Sequence, residues 1–374
     1  MALLSELALW SGGKARDVSE QLLRLTASDT PYFSMVKKGR RVFNSTPEWP
    51  YQARPSSSQT TVADGTDVSN NDLRDYESLH GMLQGRAAQV RVPFGVGKRA
   101  QAMTRQYGGI KDKFKQYGLL AMEECGLNIE SILKGTQDSW TETVSSQPRD
   151  QTRGLFRWLD CYATPTDLAI PSAARNPSGS KVTNRATVGA YTEDDVRGVM
   201  KSIAETAKRK KGNYVMLASP GMKQVISNLG YSQSVGATTG THSVPLRRFT
   251  EDAKSKTITL DVTAYEGDFG TIKVMPDFDL NNASTSYATT YAATADNGLG
   301  RTAAAQKMDA ALLAGTRIDW YLLNLDFLEV SMVQAPMMTT LPDNGGGPRA
   351  YVDAIFVHCV LNPQQHGAGF YVTP

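Results

Sequence analysis

Residues 109–135 limit the possible folds more than any other stretch of this chain. Ile110, Phe114, Tyr117, Ala121, Cys125, Ile129 and Ile132 recur at spacings of four, three, four, four, four and three. That period puts all seven on one face of a helix. At 1.5 Å per residue the rod would be roughly 40 Å long, well beyond the ~11–12 residues of an ordinary globular helix. Gly109 and Gly135 bracket it, and Gly118 and Gly126 inside it each cost about 1 kcal/mol relative to Ala. A helix this long is expected to span a whole domain face.

The second constraint lies upstream. Glu48-Trp49-Pro50-Tyr51 has strand-like aromatic content, and Gly85 to Phe94 alternates apolar and polar residues. Between them, residues 54–78 are rich in Ser, Thr, Asp and Asn and can bury little apolar area. Two strands around a long polar excursion predict an extended hairpin. Nearer the start, Val18, Leu22 and Leu25 fit one short amphipathic helix. Asp29-Thr30-Pro31 ends it, because proline disfavours α conformation in the residue before it.

Beyond the rod, residues 148–189 read as irregular, with Arg157-Trp158-Leu159-Asp160 as an apolar anchor. Thr192-Glu193-Asp194-Asp195 opens a helix that runs to Lys208-Arg209-Lys210-Lys211 and stops at Gly212, a charge gradient suited to the helix dipole. Tyr214 to Ala218 reads as a buried strand, and Ser219-Pro220 opens a further helix that closes at Leu229-Gly230. Strands are expected at 257–265 and 271–275, and again at 320–333 and 351–361 on either side of Asp343-Asn344-Gly345-Gly346-Gly347. Helices and hairpins are segregated and do not strictly alternate, so the expected class is α+β.

Composition removes several functions. The 374 residues carry 40 Lys+Arg against 37 Asp+Glu, a formal charge of +3, which gives no strong field toward nucleic acid or membrane. Cys125, Cys161 and Cys359 are too scattered for a zinc ribbon or a disulfide framework, so the chain reads as intracellular. No run approaches the ~18–20 apolar residues of a membrane-spanning helix.

The motifs that look chemical fail on context. Gly95-Val96-Gly97-Lys98-Arg99-Ala100 fits G-x-G-x-x-A after a strand, but a dinucleotide site also needs a βαβ unit with an acidic residue about 20 positions on. A flexible joint is the expected reading. Ser11-Gly12-Gly13-Lys14 lacks the phosphate-loop spacing, and no nucleophile elbow is present. His80, His242, His358 and His366 form no H-E-x-x-H pattern, and His358 and Cys359 would point to opposite faces of a strand. Lys37-Lys38-Gly39-Arg40-Arg41 and the run at 208–211 could touch phosphate, but a subunit-contact loop and a solvated helix end are the plainer readings. No catalytic, cofactor-binding or metal-binding residue is assigned, no cofactor is expected, and the chain is not expected to be an enzyme.

Several segments, in order, resemble one family: the major capsid proteins of tailed bacteriophages with the fold named for Hong Kong phage ninety-seven, in the phage SU-ten subfamily. Asp29-Thr30-Pro31-Tyr32-Phe33-Ser34-Met35 with Glu48-Trp49 resembles its N-terminal block. Gly85 to Phe94, leading to Tyr107-Gly108, resembles the strand before its spine helix, and Ala121 to Gly135 that helix's end. Tyr265, Asp268-Phe269-Gly270 and Val274-Met275-Pro276 are similar to a further block, and Asn362-Pro363-Gln364-Gln365-His366-Gly367 to its terminal one. Gln365 departs from the usual small residue, and the glycine-rich link at 345–347 is longer than usual.

The resemblance implies a phage major capsid fold: an N-terminal arm over 1–43, an E-loop hairpin over 44–98, a peripheral domain with the spine helix over 99–150 and 320–362, and an axial domain over 151–319 and 363–374. It implies a shell protein that self-assembles into pentamers and hexamers, forming an icosahedral head around packaged double-stranded DNA. Assembly is expected in the host bacterial cytoplasm and residence in the virion capsid. The implied partners are other copies, a portal, separate scaffolding or decoration proteins where such are used, and DNA touched non-specifically on the inner face, with no membrane. The block starting near residue 18 leaves no room for a fused scaffolding domain. A bacterial encapsulin-type nanocompartment shell is the alternative of the same fold, and a nucleotide enzyme using Gly95 and Gly97 that of another class. Lysine–asparagine cross-linking, which strengthens some related shells, is not expected here.

Overall fold

A computed structural model describes residues 29–55, 57, 61, 63–68, 75–102, 112–135, 137–139, 150–159, 168, 170–176, 182–185, 191–208, 211–229, 233–237, 240–244, 263–280 and 316–372. In chain order the elements are α1 (Pro31–Met35), β1 (Lys37–Lys38), β2 (Glu48–Gln52), β3 (His80–Gln84), β4 (Ala88–Gly95), α2 (Lys98–Ala102), α3 (Lys113–Lys134) and α4 (Leu155–Leu159). Then come β5 (Val182–Arg185), α5 (Glu193–Ala207), β6 (Gly212–Ala218), α6 (Pro220–Leu229), β7 (Gln233–Ala237), β8 (Gly240–Val244), β9 (Ala264–Gly267) and β10 (Gly270–Pro276). The last are β11 (Thr316–Leu323), β12 (Leu328–Leu341), β13 (Arg349–Val360) and β14 (Gly367–Val372). They form a six-stranded sheet in the order β5-β14-β11-β6-β10-β9, a four-stranded sheet β1-β12-β13-β4, and the pairs β2-β3 and β7-β8. The α+β expectation holds.

Two compact units divide the chain, one of residues 1–29, 91–127 and 336–353, the other of 30–90, 128–335 and 354–374. The core of the second is built on the six-stranded sheet. Val196, Val199, Met200 and Ile203 of α5 recur at helical spacing and pack with Tyr214 and Met216 of β6, Ile272 and Val274 of β10, and Trp320 and Leu322 of β11. Met222 and Ile226 of α6 join them. β6 and β10 run parallel from Gly212↔Gly270 to Ala218↔Pro276, with α6 between them in sequence. The expected start of α5 is a capping box: the Thr192 N–H donates to the Asp195 carboxylate at 2.9 Å, and its hydroxyl does so at 3.0 Å. Its stop is Lys208 in a left-handed conformation, φ 53°, four residues before the expected glycine.

In the first unit α3 begins on an Asp112 cap, whose carboxylate accepts the N–H of Phe114 at 2.9 Å. Phe94 and Phe114 stack with centroids 5.3 Å apart. The stretch after β4 is tied and is not the expected flexible joint. Val96 N–H donates to Pro348 O at 3.0 Å, Lys98 N–H to Gly346 O at 3.3 Å, and the Lys98 ammonium lies 3.2 Å from Asp343. The glycine-rich link makes this possible, since Gly347 has φ +120° and a Cβ there would meet the Val96 carbonyl.

Three expectations need correction. The hairpin partner of β2 is β3, with Glu48↔Gln84 through Gln52↔His80, whereas the alternating strand at 88–95 joins the four-stranded sheet. His80-Gly81-Met82-Leu83-Gln84 buries only Leu83 fully and shows no clean alternation, so its pairing was invisible to the pattern. The strand expected at 320–333 is two, split where Asn324 accepts the N–H of Asp326 in a 3-10 turn. β14 lies beyond the last expected strand. The helix expected near 17–25, residues 257–262 of a strand and the start of the rod at 109–111 lie outside the described residues.

Candidate assembly surface

The first unit leaves large apolar side chains in solvent. Leu119 of α3 is 73% exposed and Leu120 51%, with Tyr117 and Met122 also exposed. Met337, Met338 and Leu341 at the end of β12 are exposed too. Met338 Sδ would lie 3.2 Å from a Cβ at Gly118, so strand end and helix are neighbours, and a larger residue there would push them apart. Exposed cations Lys98, Arg99 and Lys115 lie on α2 and α3 of the same unit. Lone exposed apolar residues are ordinary, but several on one helix and one strand end mark a surface that something covers.

The β2–β3 hairpin shows the opposite sign of charge. Its described excursion exposes Asp64, Asp67, Asp75 and Glu77 against the single described cation Arg54, together with Val68 and Tyr76, and Met82 is exposed on β3. The base is anchored elsewhere: Trp49 Nε1 donates to Val360 O at 3.2 Å, and its ring lies 5.9 Å from that of Trp158.

The second unit also holds a group of buried charges. Glu130 Oε1 accepts the N–H of Tyr32 at 2.9 Å, and Oε2 that of Phe33 at 2.6 Å. Lys134 Nζ lies 3.1 Å from Glu130 and 2.6 Å from Asp277. Burial pushes the Glu130 carboxyl up, with Lys134 and the two N–H groups opposing. The Tyr32 hydroxyl is 2.7 Å from His358 Nε2, and His358 Nδ1 is 3.2 Å from Arg153 O. Burial would raise Asp138, but Arg153 and Arg157 outweigh it and hold its carboxyl below the usual range.

These contacts explain the blocks that carried the resemblance. Thr30-Pro31-Tyr32-Phe33 is the segment held by Glu130, and Asp268-Phe269-Gly270 is the tight turn between β9 and β10. In the terminal block Asn362 accepts the N–H of Gln364 at 3.0 Å, and buried His366 accepts that of Asn324 at 3.2 Å. The blocks are joints of the fold.

The other singled-out residues are dispersed. Gly95 and Gly97 face the 343–349 link, His80 is exposed on β3, and His358 and His366 are buried. Both faces of β13 are covered where His358 meets Tyr32 and Cys359 meets Ser331, and burial pushes the Cys359 thiol up to about 11. Cys125 is also buried, while Cys161 and the side chain of His242 lie outside the described residues. Among the described residues no group of three His, Cys, Asp or Glu could hold a metal ion. Lys37 pairs with Glu329 at 3.2 Å, and Lys38 donates to Phe33 O at 2.6 Å. No described helix is long and apolar enough to cross a membrane.

This α+β fold is shared by solved phage capsid structures. The capsid of cyanophage P-SCSP1u matches with a TM-score of 0.56 at 10% identity, over 96% of this chain and 93% of that one. A chain from Mycobacterium phage Bobi matches at 0.56 and 11% identity over 100% of both, and the cyanophage Pam1 capsid asymmetric unit at 0.55 and 12% over 100% and 99%. The chain belongs to the SU10 major capsid protein family, whose model matches residues 7–368. It is a major capsid protein of a tailed bacteriophage, a subunit of an icosahedral shell. The family is structural, not enzymatic, and the nanocompartment alternative is not favoured. No curated protein sequence matches.

Proposed function

We propose that this subunit builds pentamers and hexamers in which the acidic hairpin tip of one copy lies over the basic, apolar end of α3 and β12 of a neighbour. The observation that carries this reading is the pair of complementary surfaces: Asp64, Asp67, Asp75 and Glu77 beside Val68 and Tyr76 on the hairpin, and Lys98, Arg99 and Lys115 beside Leu119 and Leu120 on the other unit. Covering the apolar residues drives association, while opposite charges fix the register and exclude wrong pairings. In this reading the hairpin within 44–98 is the E-loop, α3 is the spine of a peripheral domain over 99–150 and 320–362, residues 1–43 are the arm, and 151–319 with 363–374 form the axial domain. The shell encloses double-stranded DNA, meets a portal at one vertex, and assembles in the bacterial cytoplasm. A formal charge of +3 supports contact with DNA without a tight grip, since each neutralised phosphate would add salt-dependent affinity.

Charge reversal tests it. Changing the four hairpin acids to Lys should leave folded but unassembled subunits, and changing Arg99 and Lys115, but not the Lys98 held by Asp343, to Glu in the same chain should restore shells, read by sedimentation and electron microscopy. Normal shells from the hairpin variant alone would remove the proposal.

A further inference from the structure

Lys134 sits where an ordinary surface lysine cannot. Its side chain is 1% exposed, as is that of Asp277, and Glu130 is 2% exposed. One ammonium between two carboxylates in a dry interior is costly as a set of three charges. A reaction that removes two of these charges would relieve that cost. The 2.6 Å contact sets Lys134 Nζ directly against the Asp277 carboxyl group.

The surroundings suit the chemistry. Asp277 Oδ1 accepts the N–H of Asp279 at 3.1 Å, a donor placed where negative charge would grow if the carbon were attacked. Glu130 is fixed by the N–H groups of Tyr32 and Phe33 while its Oε1 reaches Lys134 Nζ. The Tyr321 hydroxyl donates to Lys134 O at 2.8 Å and holds the helix end in place.

We propose that Lys134 and Asp277 condense to an amide within one subunit, with Glu130 carrying the proton. The ammonium first passes one proton to Asp277 Oδ2. The Nζ lone pair then forms the bond to Cγ, and a second nitrogen proton moves to Glu130 Oε1. Glu130 returns it to the hydroxyl on Cγ as the C–O bond breaks, and one water leaves. The third proton stays on the amide nitrogen. Nothing is oxidised or reduced and no co-reactant is consumed. The raised affinity of buried Glu130 for a proton fits the carrier's part. Holding the groups together replaces a bimolecular condensation, and effective concentrations of order 10⁵ M or more are known for such placement. Two buried charges vanish, and the remaining one keeps its two backbone donors. The bond joins residues 143 apart in sequence and closes a long loop, which restricts the unfolded chain. It lies within one subunit and uses a carboxyl, unlike the lysine–asparagine cross-links considered above.

Intact-mass spectrometry of the denatured full-length chain, purified as shells or as subunits, tests this. The wild type should weigh one water less than its sequence, and proteolysis should yield a branched peptide joining residues 134 and 277. Glu130→Gln should stay at the sequence mass, and Asp277→Asn, which keeps the shape, should lose ammonia in place of water. A wild type at its sequence mass overturns the proposal. So does an equal loss persisting in Lys134→Met, which would indicate a succinimide, and complete bond formation in Glu130→Gln removes the carrier role. None of these outcomes depends on how copies pack, so they are separate from the charge-reversal test.

Discussion

The two ends of α3 live in different environments. From Tyr117 to Met122 four large apolar side chains are exposed, whereas from Ile129 to Lys134 even a glutamate and a lysine are buried. The same element ends in a finished core on one side and in an unfinished surface on the other. A lone globular protein would reverse this, with charges outward and leucines inward. The comparison teaches that the C-terminal end is stabilised by its own chain, while the N-terminal end leaves large apolar side chains exposed, as the proposed contact with other copies requires.

The sharpest way to break the comparison is Lys134→Met. It leaves Glu130 and Asp277 buried with neither an ammonium nor an amide between them and should cost about 3–5 kcal/mol, read by urea unfolding of subunits. A cost below 1 kcal/mol would mean that the network is wetter than its burial indicates. Ile129→Ala, at a fully buried position of the same end, should cost about 2–5 kcal/mol.

On the buried side acid should act through His358. Burial holds the fully enclosed His358 neutral, with a pKa of about 4 against the ordinary 6.5. The unfolded chain therefore takes up this proton first as pH falls. The contribution is fully present above pH 6.5 and is lost progressively as pH drops toward 4. Urea midpoints across that window should fall in the wild type and fall less in His358→Gln.

The smallest stability change belongs to the exposed end. Leu119→Asp should move subunit stability by less than about 0.5 kcal/mol and yet abolish shell formation by sedimentation. Loss of stability instead would place Leu119 in the subunit's own core.

Part of this was legible in the sequence. The stripe at Ala121, Cys125, Ile129 and Ile132 identified the face of α3 that is buried, because helical period survives any tertiary context. Thr192 and Asp195 announced a helix start, and the polar composition at 54–78 matches the exposure of the residues described there. What failed was partnership at a distance. A strand's pattern tells which face is buried, not which strand lies beside it, so β3 was passed over in favour of β4. Glu130 and Lys134 are four apart, the spacing of any solvent-exposed ion pair, and only Asp277 and the Tyr32 and Phe33 amides show them to be interior. The exposed leucines and methionines were invisible as a surface, because an apolar residue is read as core until its surroundings are known.

Cryo-electron microscopy of the full-length protein tests the central claim most directly. The account predicts closed icosahedral particles of five- and six-membered rings, with the hairpin tip of one copy resting on Leu119 and Leu120 of the next. Solitary subunits at every concentration, or shells in which that end of α3 still faces solvent, would contradict it.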